Sequence, residues 1–279
     1  MDFDSNRGEE LVRIVMDAYS SRDPKEYLGN LLLPGVETNS REQANFLFFV
    51  AMLSPFNNSN TLVKRAKRIY SKHSEIFDPD SVVEAIEKDR SLFIATLRDL
   101  ENREDYIEAW CNNSRRLKEK YSSDARKIFE TSSYKQAMDN ITSFDRFGEK
   151  TGSMLLGWYI TLGLVEDNWD DIYNYPTPLD TQVMKLLVGR EVVSFEGEVD
   201  YEPLFKRVRQ EFSSLLHELG VNPYLFHDAA WDYVTGVCRY CERAQHPECL
   251  FGEPCRVELV TSDTKRRGKV RITKKEFFT

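Results

Sequence analysis

Apolar residues recur along most of this chain at intervals of three and four, the spacing of one face of a helix. Over residues 7–21, Leu11, Ile14, Val15 and Ala18 make such a face. Asp23-Pro24 and Leu33-Pro34-Gly35 then mark a loop. Ser40-Arg41-Glu42-Gln43 has the form of a capping box and opens a very apolar run from Ala44 to Leu53, read as a buried core helix too short to cross a bilayer. After Ser54-Pro55 comes a helix carrying Lys64, Arg65, Lys67 and Arg68. Further helical spacing covers residues 81–88, 92–100, 105–121 and 132–141. The strand signal is weak and no repeat or low-complexity tract occurs, so the pattern predicts a mainly α protein.

Residues 143–187 concentrate the candidate chemistry. A tight turn feeds a helix beginning near Gly148, an acidic and aromatic connector follows over 165–175, and a second helix opens at Asp180 after a proline-rich approach. Lys150 and Asp180 thus fall near the first turns of successive helices. A lysine attacks a sugar carbon only when deprotonated, which desolvation and a helix N-terminus favour. The same residues also read plainly as a solvated lysine and an N-cap. In the connector, Trp169 and Tyr173 could stack on a base or simply anchor the loop. Beyond it, 188–200 reads as a loop with a short strand. Residues 202–219 form an amphipathic helix that stops at Gly220, and Asn222-Pro223 opens another that runs through Trp231 and Tyr233 towards Cys238.

Four of the five cysteines, Cys238, Cys241, Cys249 and Cys255, fall in a C-x2-C-x7-C-x5-C spacing. The N-terminal segment is acidic and lacks a basic, apolar signal sequence, which points away from export and so away from disulfides. Four crowded thiolates suit a [4Fe-4S] cluster or tetrahedral zinc, with His246 a possible substitute ligand. Cys111, beside Trp110, reads as an inert buried thiol. The 279 residues suit one large or two small domains, and nothing suggests a membrane partner. Net charge is -8, an acidic total for a nucleic-acid binder, but a phosphate backbone meets only one face of a protein.

Taken together, Gly148-Glu149-Lys150-Thr151-Gly152 and Leu179-Asp180-Thr181-Gln182-Val183 resemble the helix-hairpin-helix DNA glycosylase superfamily, which contains endonuclease III and the eight-oxoguanine glycosylases. In that family a hairpin ending in Gly-x-Lys-Thr-Ala carries a nucleophilic lysine, and Val-Asp-Thr-His-Val carries the catalytic aspartate. At the hairpin itself the family has Leu-Pro-Gly-Val-Gly where this chain has Phe144-Asp145-Arg146-Phe147-Gly148, so only the last glycine is kept. The gap from Lys150 to Asp180 is longer than in endonuclease III and nearer that of the archaeal eight-oxoguanine glycosylases. Asn112-Asn113-Ser114 is similar to a Tyr-Asn-Ser-Lys-Ala stretch of endonuclease III. The cysteine loop occupies the same place near the C-terminus as that family's cluster, though only its last interval agrees.

The resemblance implies a two-domain helix-hairpin-helix glycosylase fold with a C-terminal cysteine-ligated metal loop: a helical barrel over 34–163, a second domain from 1–33 plus 164–255, a cleft between them, and a basic tail over 256–279. It implies base-excision repair of double-stranded DNA containing a damaged, oxidised base, by a cytoplasmic, nucleoid-associated monomer. Lys150 would form a Schiff base assisted by Asp180, giving glycosylase and AP lyase activity. Asn57 and Asn58 would fill the gap left by the extruded base, or else make a turn and a cap. Lys64, Arg65, Arg115, Arg146 and Gly148 would contact DNA. The cofactor would be a [4Fe-4S] cluster, with zinc as the alternative. Other readings of the same residues are an N-glycosylase acting on RNA or a nucleoside, a non-catalytic nucleic-acid-binding protein, and a zinc-stabilised interaction protein.

Overall fold

The computed structural model describes residues 1–21, 28–53, 59–166, 168–174, 177–238, 249–253, 255–261 and 268–274. The protein is mainly helical. Its described residues form ten α-helices and five short strands. They divide into two compact units, the first Met1–Asp23 with Ile172–Thr279 and the second Pro24–Asp171. The family resemblance implies boundaries after residues 33 and 163. The segment from Leu164 to Asp171 instead belongs to the second unit, where the Trp169 indole donates to Thr131 O at 2.9 Å and the Asp171 carboxylate accepts from Tyr134 N at 2.6 Å.

The second unit is built round α2 (Arg41–Leu53), in which every residue from Gln43 onward is buried. Ser40 Oγ accepts from Gln43 N at 3.1 Å, which is half of the expected capping box. The Gln43 side chain does not complete the box. It turns inward, accepting from Leu33 N at 2.7 Å and donating to Leu31 O at 3.1 Å, because the buried backbone of that loop has no water to bond. Asn45 does the same for Ser123 O and Ala125 N.

Around α2 lie α3 (Ser59–Tyr70), α4 (Pro79–Arg98), α5 (Glu104–Tyr121), α6 (Tyr134–Thr142) and α7 (Glu149–Thr161). Phe49 stacks on Trp110 with centroids 4.2 Å apart, and Phe46 and Phe77 close the aromatic core. Cys111 is buried, which pushes its thiol pKa up. The two helices expected over 81–88 and 92–100 are one element broken at Asp89 (φ -155, ψ 88). The Asp89 carboxylate accepts from Ser91 N and Leu92 N and so caps the second half.

The first unit contains α1 (Ser5–Ser20), α8 (Thr181–Gly189), α9 (Tyr201–Glu218) and α10 (Pro223–Gly236). Leu11 and Val15 of α1, Val183 and Leu187 of α8, and Phe212 and Phe226 share one core. Strand β1 (Asp2–Phe3) pairs with β2 (Val193–Ser194). A second, antiparallel sheet has the order β3-β5-β4, where β3 is Glu198–Asp200, β4 is Val257–Thr261 and β5 is Lys269–Lys274. Much of the stretch expected as a basic tail is therefore sheet, with Leu259 and Val270 buried in the core. Two of its cations, Arg271 and Lys269, sit opposite Glu198 and Asp200 in the register. Cross-strand acids thus offset part of the positive charge of this segment. Among the described residues no helix is long and apolar enough to cross a membrane.

On α10 the Asp228 residue is half-buried, yet its Oδ2 is enclosed without a hydrogen-bond partner among the described residues. Burial pushes this carboxyl up to about 7, and the Asp232 carboxylate adds to the shift. An acid held above its unfolded value favours the folded state at low pH, and that advantage is lost as pH rises through about 7. Asp228→Asn is therefore expected to raise the melting temperature at pH 8 and leave it little changed at pH 4. Equal melting temperatures of the two proteins at pH 8 would refute the assignment.

A second test concerns the approach of α6 to α7. A Cβ at Gly152 would lie 2.8 Å from Ile141 Cγ2 and 3.3 Å from Met138 Cε, so only glycine lets the helices meet at this distance. Gly152→Ala should cost about 1–3 kcal/mol in urea unfolding, through overpacking of a tight core. An unchanged midpoint would show that the two helices separate at no cost.

Candidate active site and cysteine cluster

The turn between α6 and α7 is fixed from behind by the core. Phe144 and Phe147 are buried, and both rings meet Phe48 of α2, at 5.2 and 4.8 Å. Asn113 of α5, also buried, holds the turn at one residue: its Nδ2 donates to Asp145 O and its Oδ1 accepts from Asp145 N, each at 2.9 Å. Asn112 Nδ2 adds a bond to the Asp145 carboxylate at 3.0 Å. Arg146 then takes φ +67, the left-handed region that a non-glycine residue adopts at a cost of about 1–2 kcal/mol. Its guanidinium is ion-paired with Asp105 and lies 4.8 Å from the Tyr106 ring centroid.

Gly148 is the N-cap of α7, and the helix start has no side-chain cap. Its backbone is ordinary extended chain, φ -105 and ψ -178, and a Cβ there would touch nothing within 4 Å. Neither strain nor packing within the chain demands glycine at this point. Beside it a cavity of about 560 Å³ is bordered by Asp105, Tyr106, Asp145, Arg146 and Phe147. Lys150 follows on the first turn of α7 and is exposed. The desolvation expected to deprotonate its amine is thus not supplied by neighbouring residues of the second unit.

The other basic candidates divide by use. Lys64 and Arg115 are exposed. Arg65 donates from Nε to Asp99 O at 2.9 Å, closing the C-terminal end of α4. Arg116, which was not singled out from the sequence, reaches Ser143 Oγ at 3.3 Å and lies over Phe144, so it braces the turn. Asn57 and Asn58 lie outside the described residues.

Asp180 belongs to the first unit and is half-buried. It caps α8, Oδ1 accepting from Gln182 N at 2.8 Å and Val183 N at 3.0 Å, which leaves Oδ2 outside the cap. Its approach is gripped by a half-buried network on α9 around the buried Thr177. Thr177 N donates to Ser213 Oγ at 2.7 Å, Arg209 Nε donates to Thr177 O at 2.8 Å, and Leu179 N donates to the same carbonyl at 2.7 Å. Tyr201, the first residue of α9, has its hydroxyl 3.1 Å from Thr181 Oγ1. Burial pushes the Tyr201 phenol pKa up and the Asp180 carboxylate adds to this, against the opposing Thr181 hydrogen bond. Nothing in the sequence pattern singles out Tyr201, because its partner is twenty residues upstream on another helix. Of the two readings of the connector aromatics, the contacts agree with the loop anchor: Trp169 is buried, and Tyr173 lies parallel to His217 and donates to Gly220 O at 3.2 Å.

Of the four clustered cysteines, Cys241 lies outside the described residues, as does His246. Cys249 Sγ accepts from the Tyr233 hydroxyl at 3.5 Å, and Cys238 also acts on that phenol, whose pKa is raised chiefly by burial. Cys255 sits against the end of α8: a Cβ at Gly189 would lie 3.1 Å from its Sγ and 3.3 Å from its Cβ. Gly189 thus makes a cradle for this thiol. Among the described residues no three His, Cys, Asp or Glu side chains converge closely enough to hold a metal ion. Three of the four expected thiols, Cys238, Cys249 and Cys255, are therefore described without converging, and the fourth, Cys241, is not described. Comparison of the chain with protein-family models, with curated proteins and with solved structures finds no match.

Proposed function

We propose that this protein is a two-domain helix-hairpin-helix DNA glycosylase with AP lyase activity, acting on a damaged base in duplex DNA. The observation that carries the reading is the α6–α7 turn. Arg146 stands where the family has its first hairpin glycine and takes the φ of +67 that favours glycine, while Phe144 and Phe147 replace the family's buried leucine and valine. A left-handed residue at this position is what a hairpin backbone needs, which supports the reading despite the missing hairpin sequence. At its end Gly148 leaves open space beside an uncapped helix start, as close approach of a phosphate to backbone amides requires.

The roles follow from the chemistry. A stacked base is unreachable, so it is extruded at a cost of a few kcal/mol, least for a damaged base. Lys150 attacks C1′ of the sugar through its free amine, the C1′–N bond to the base breaks, and the base leaves with the bonding electrons and takes up a proton. Asp180, through the Oδ2 left outside the cap, stabilises positive charge developing on the sugar and accepts the proton that the amine releases. The Lys150 adduct opens to a Schiff base, from which β-elimination cleaves the strand. Because Lys150 is exposed, its desolvation falls to the bound DNA. Lys64 and Arg115 are the candidates for phosphate contact. Cys238, Cys241, Cys249 and Cys255 would hold a [4Fe-4S] cluster in a structural role, with zinc as the alternative; elemental analysis separates the two.

Borohydride trapping on duplexes carrying oxidised bases, deaminated bases or an abasic site tests the chemistry. A covalent adduct is expected with wild type, none with Lys150→Ala, and base release reduced by at least about 100-fold in Asp180→Ala. No adduct from a folded wild type with any duplex would refute the lyase assignment.

The hairpin has its own test. Gly148→Ala adds a methyl group where the chain has room, so it should leave thermal stability within about 0.5 kcal/mol of wild type. It should nevertheless weaken duplex binding about tenfold, by standing between the amides and a phosphate. Unchanged affinity would show that the DNA backbone does not approach this helix start.

A further inference from the structure

We propose that Tyr201 is a positioning residue for the Asp180 carboxylate, acting through the hydroxyl of Thr181. The inference rests on the glycosylase reading, in which Asp180 is the acid–base group.

Thr181 is the first residue of α8 and immediately follows Asp180, so whatever fixes its side chain fixes the turn from which the carboxylate projects. Oδ1 of that carboxylate is committed to two amides, and its torsion about the side chain decides where Oδ2 points. The partner on the far side is well placed to hold the turn. Tyr201 is anchored at its backbone, N donating to Gly268 O at 3.3 Å, and its ring lies 5.4 Å from Phe205 on the next turn of α9. A phenol supported in this way reaches Thr181 Oγ1 with little freedom to move. It remains protonated at neutral pH, since burial and the nearby carboxylate both oppose its ionisation, so it has a proton to donate. Thr181 Oγ1 can accept that proton. The threonine hydroxyl then has its rotamer set, and with it the first turn of α8 that Asp180 caps. Asp180 is in this way held from two directions: by the Thr177, Arg209 and Ser213 network before it, and by the Thr181 and Tyr201 pair after it. Small errors in placing a reacting group cost rate more than affinity, because binding is spread over many contacts and the chemistry is not.

The test uses the full chain, with single-turnover base release and duplex affinity measured on the lesion that wild type processes best. Tyr201→Phe deletes only the hydroxyl. It should slow base release by about 10- to 100-fold while leaving duplex affinity within about twofold. Thr181→Val should do the same and the double variant should be no slower than either single one, whereas Thr181→Ser, which keeps the hydroxyl, should restore most of the rate. If Tyr201→Phe fails to fold, the Thr181 series carries the test alone. A full rate in Tyr201→Phe or Thr181→Val, or additive losses in the double variant, overturns the role of Tyr201 with the glycosylase reading intact. No base release by wild type from any lesion overturns both.

Discussion

A nine-residue helix does not persist in water by itself, and α8 exists because neighbours cover nearly every side of it. Val183, Met184, Leu186, Leu187 and Val188 are all buried, and α10 and β4 supply much of the cover. Both ends of this helix carry candidate chemistry. Asp180 caps one end, and Gly189 at the other is backed by Cys255. The placement of the carboxylate is therefore a property of the first unit's core. Because Cys255 lies two residues before β4, which packs on α8, this thiol and the aspartate share one support. A metal held by those cysteines would stiffen the floor under α8 without touching the reaction.

The second unit meets a different constraint at its turn. A left-handed residue is needed between α6 and α7, and the chain places an arginine there at a cost of about 1–2 kcal/mol. An exposed ion pair to Asp105 returns at most about 1 kcal/mol and the contact with Tyr106 about 0.5–1. Neither is large enough to be decisive alone. The two bonds from Asn113, each about 1 kcal/mol, and the burial of two phenylalanines tip the balance. The turn holds its shape because its flanks are anchored, which is how a strained residue survives in the middle of it.

This explains which parts were legible in the sequence. Helix starts at Asp180 and Asn222-Pro223 and the stop at Gly220 were readable, because a cap is made by residues a few positions apart. So was the apolar run of α2. The capping box at Ser40 was only half right, since Gln43 answers a loop ten residues upstream that periodicity does not see. The tail was read as charge because its lysines and arginines outnumber its apolar residues. Its pairing with β3, and the acids at 198 and 200 that face it, are long-range facts. At the α6–α7 turn, a left-handed residue sits where the sequence has arginine, held by apolar residues at 144 and 147. Tyr201 and Thr177 left no local trace at all.

The charge pattern also bears on how so acidic a chain could hold DNA. Arg65, Arg116 and Arg146 are committed to internal partners, and two tail cations lie opposite acids. Of the basic residues expected to contact DNA, that leaves Lys64 and Arg115 exposed, with Lys150 beside the turn. Few phosphate contacts mean little counterion release, so electrostatics alone gives weak, sequence-independent binding. On the proposed reading, the hold on a lesion would come from the extruded base and from backbone amides at the α6–α7 turn, terms that undamaged duplex would not fully engage. Low non-specific affinity would then favour lesion recognition, and the amides at Gly148 would matter more than they would in a strongly basic protein.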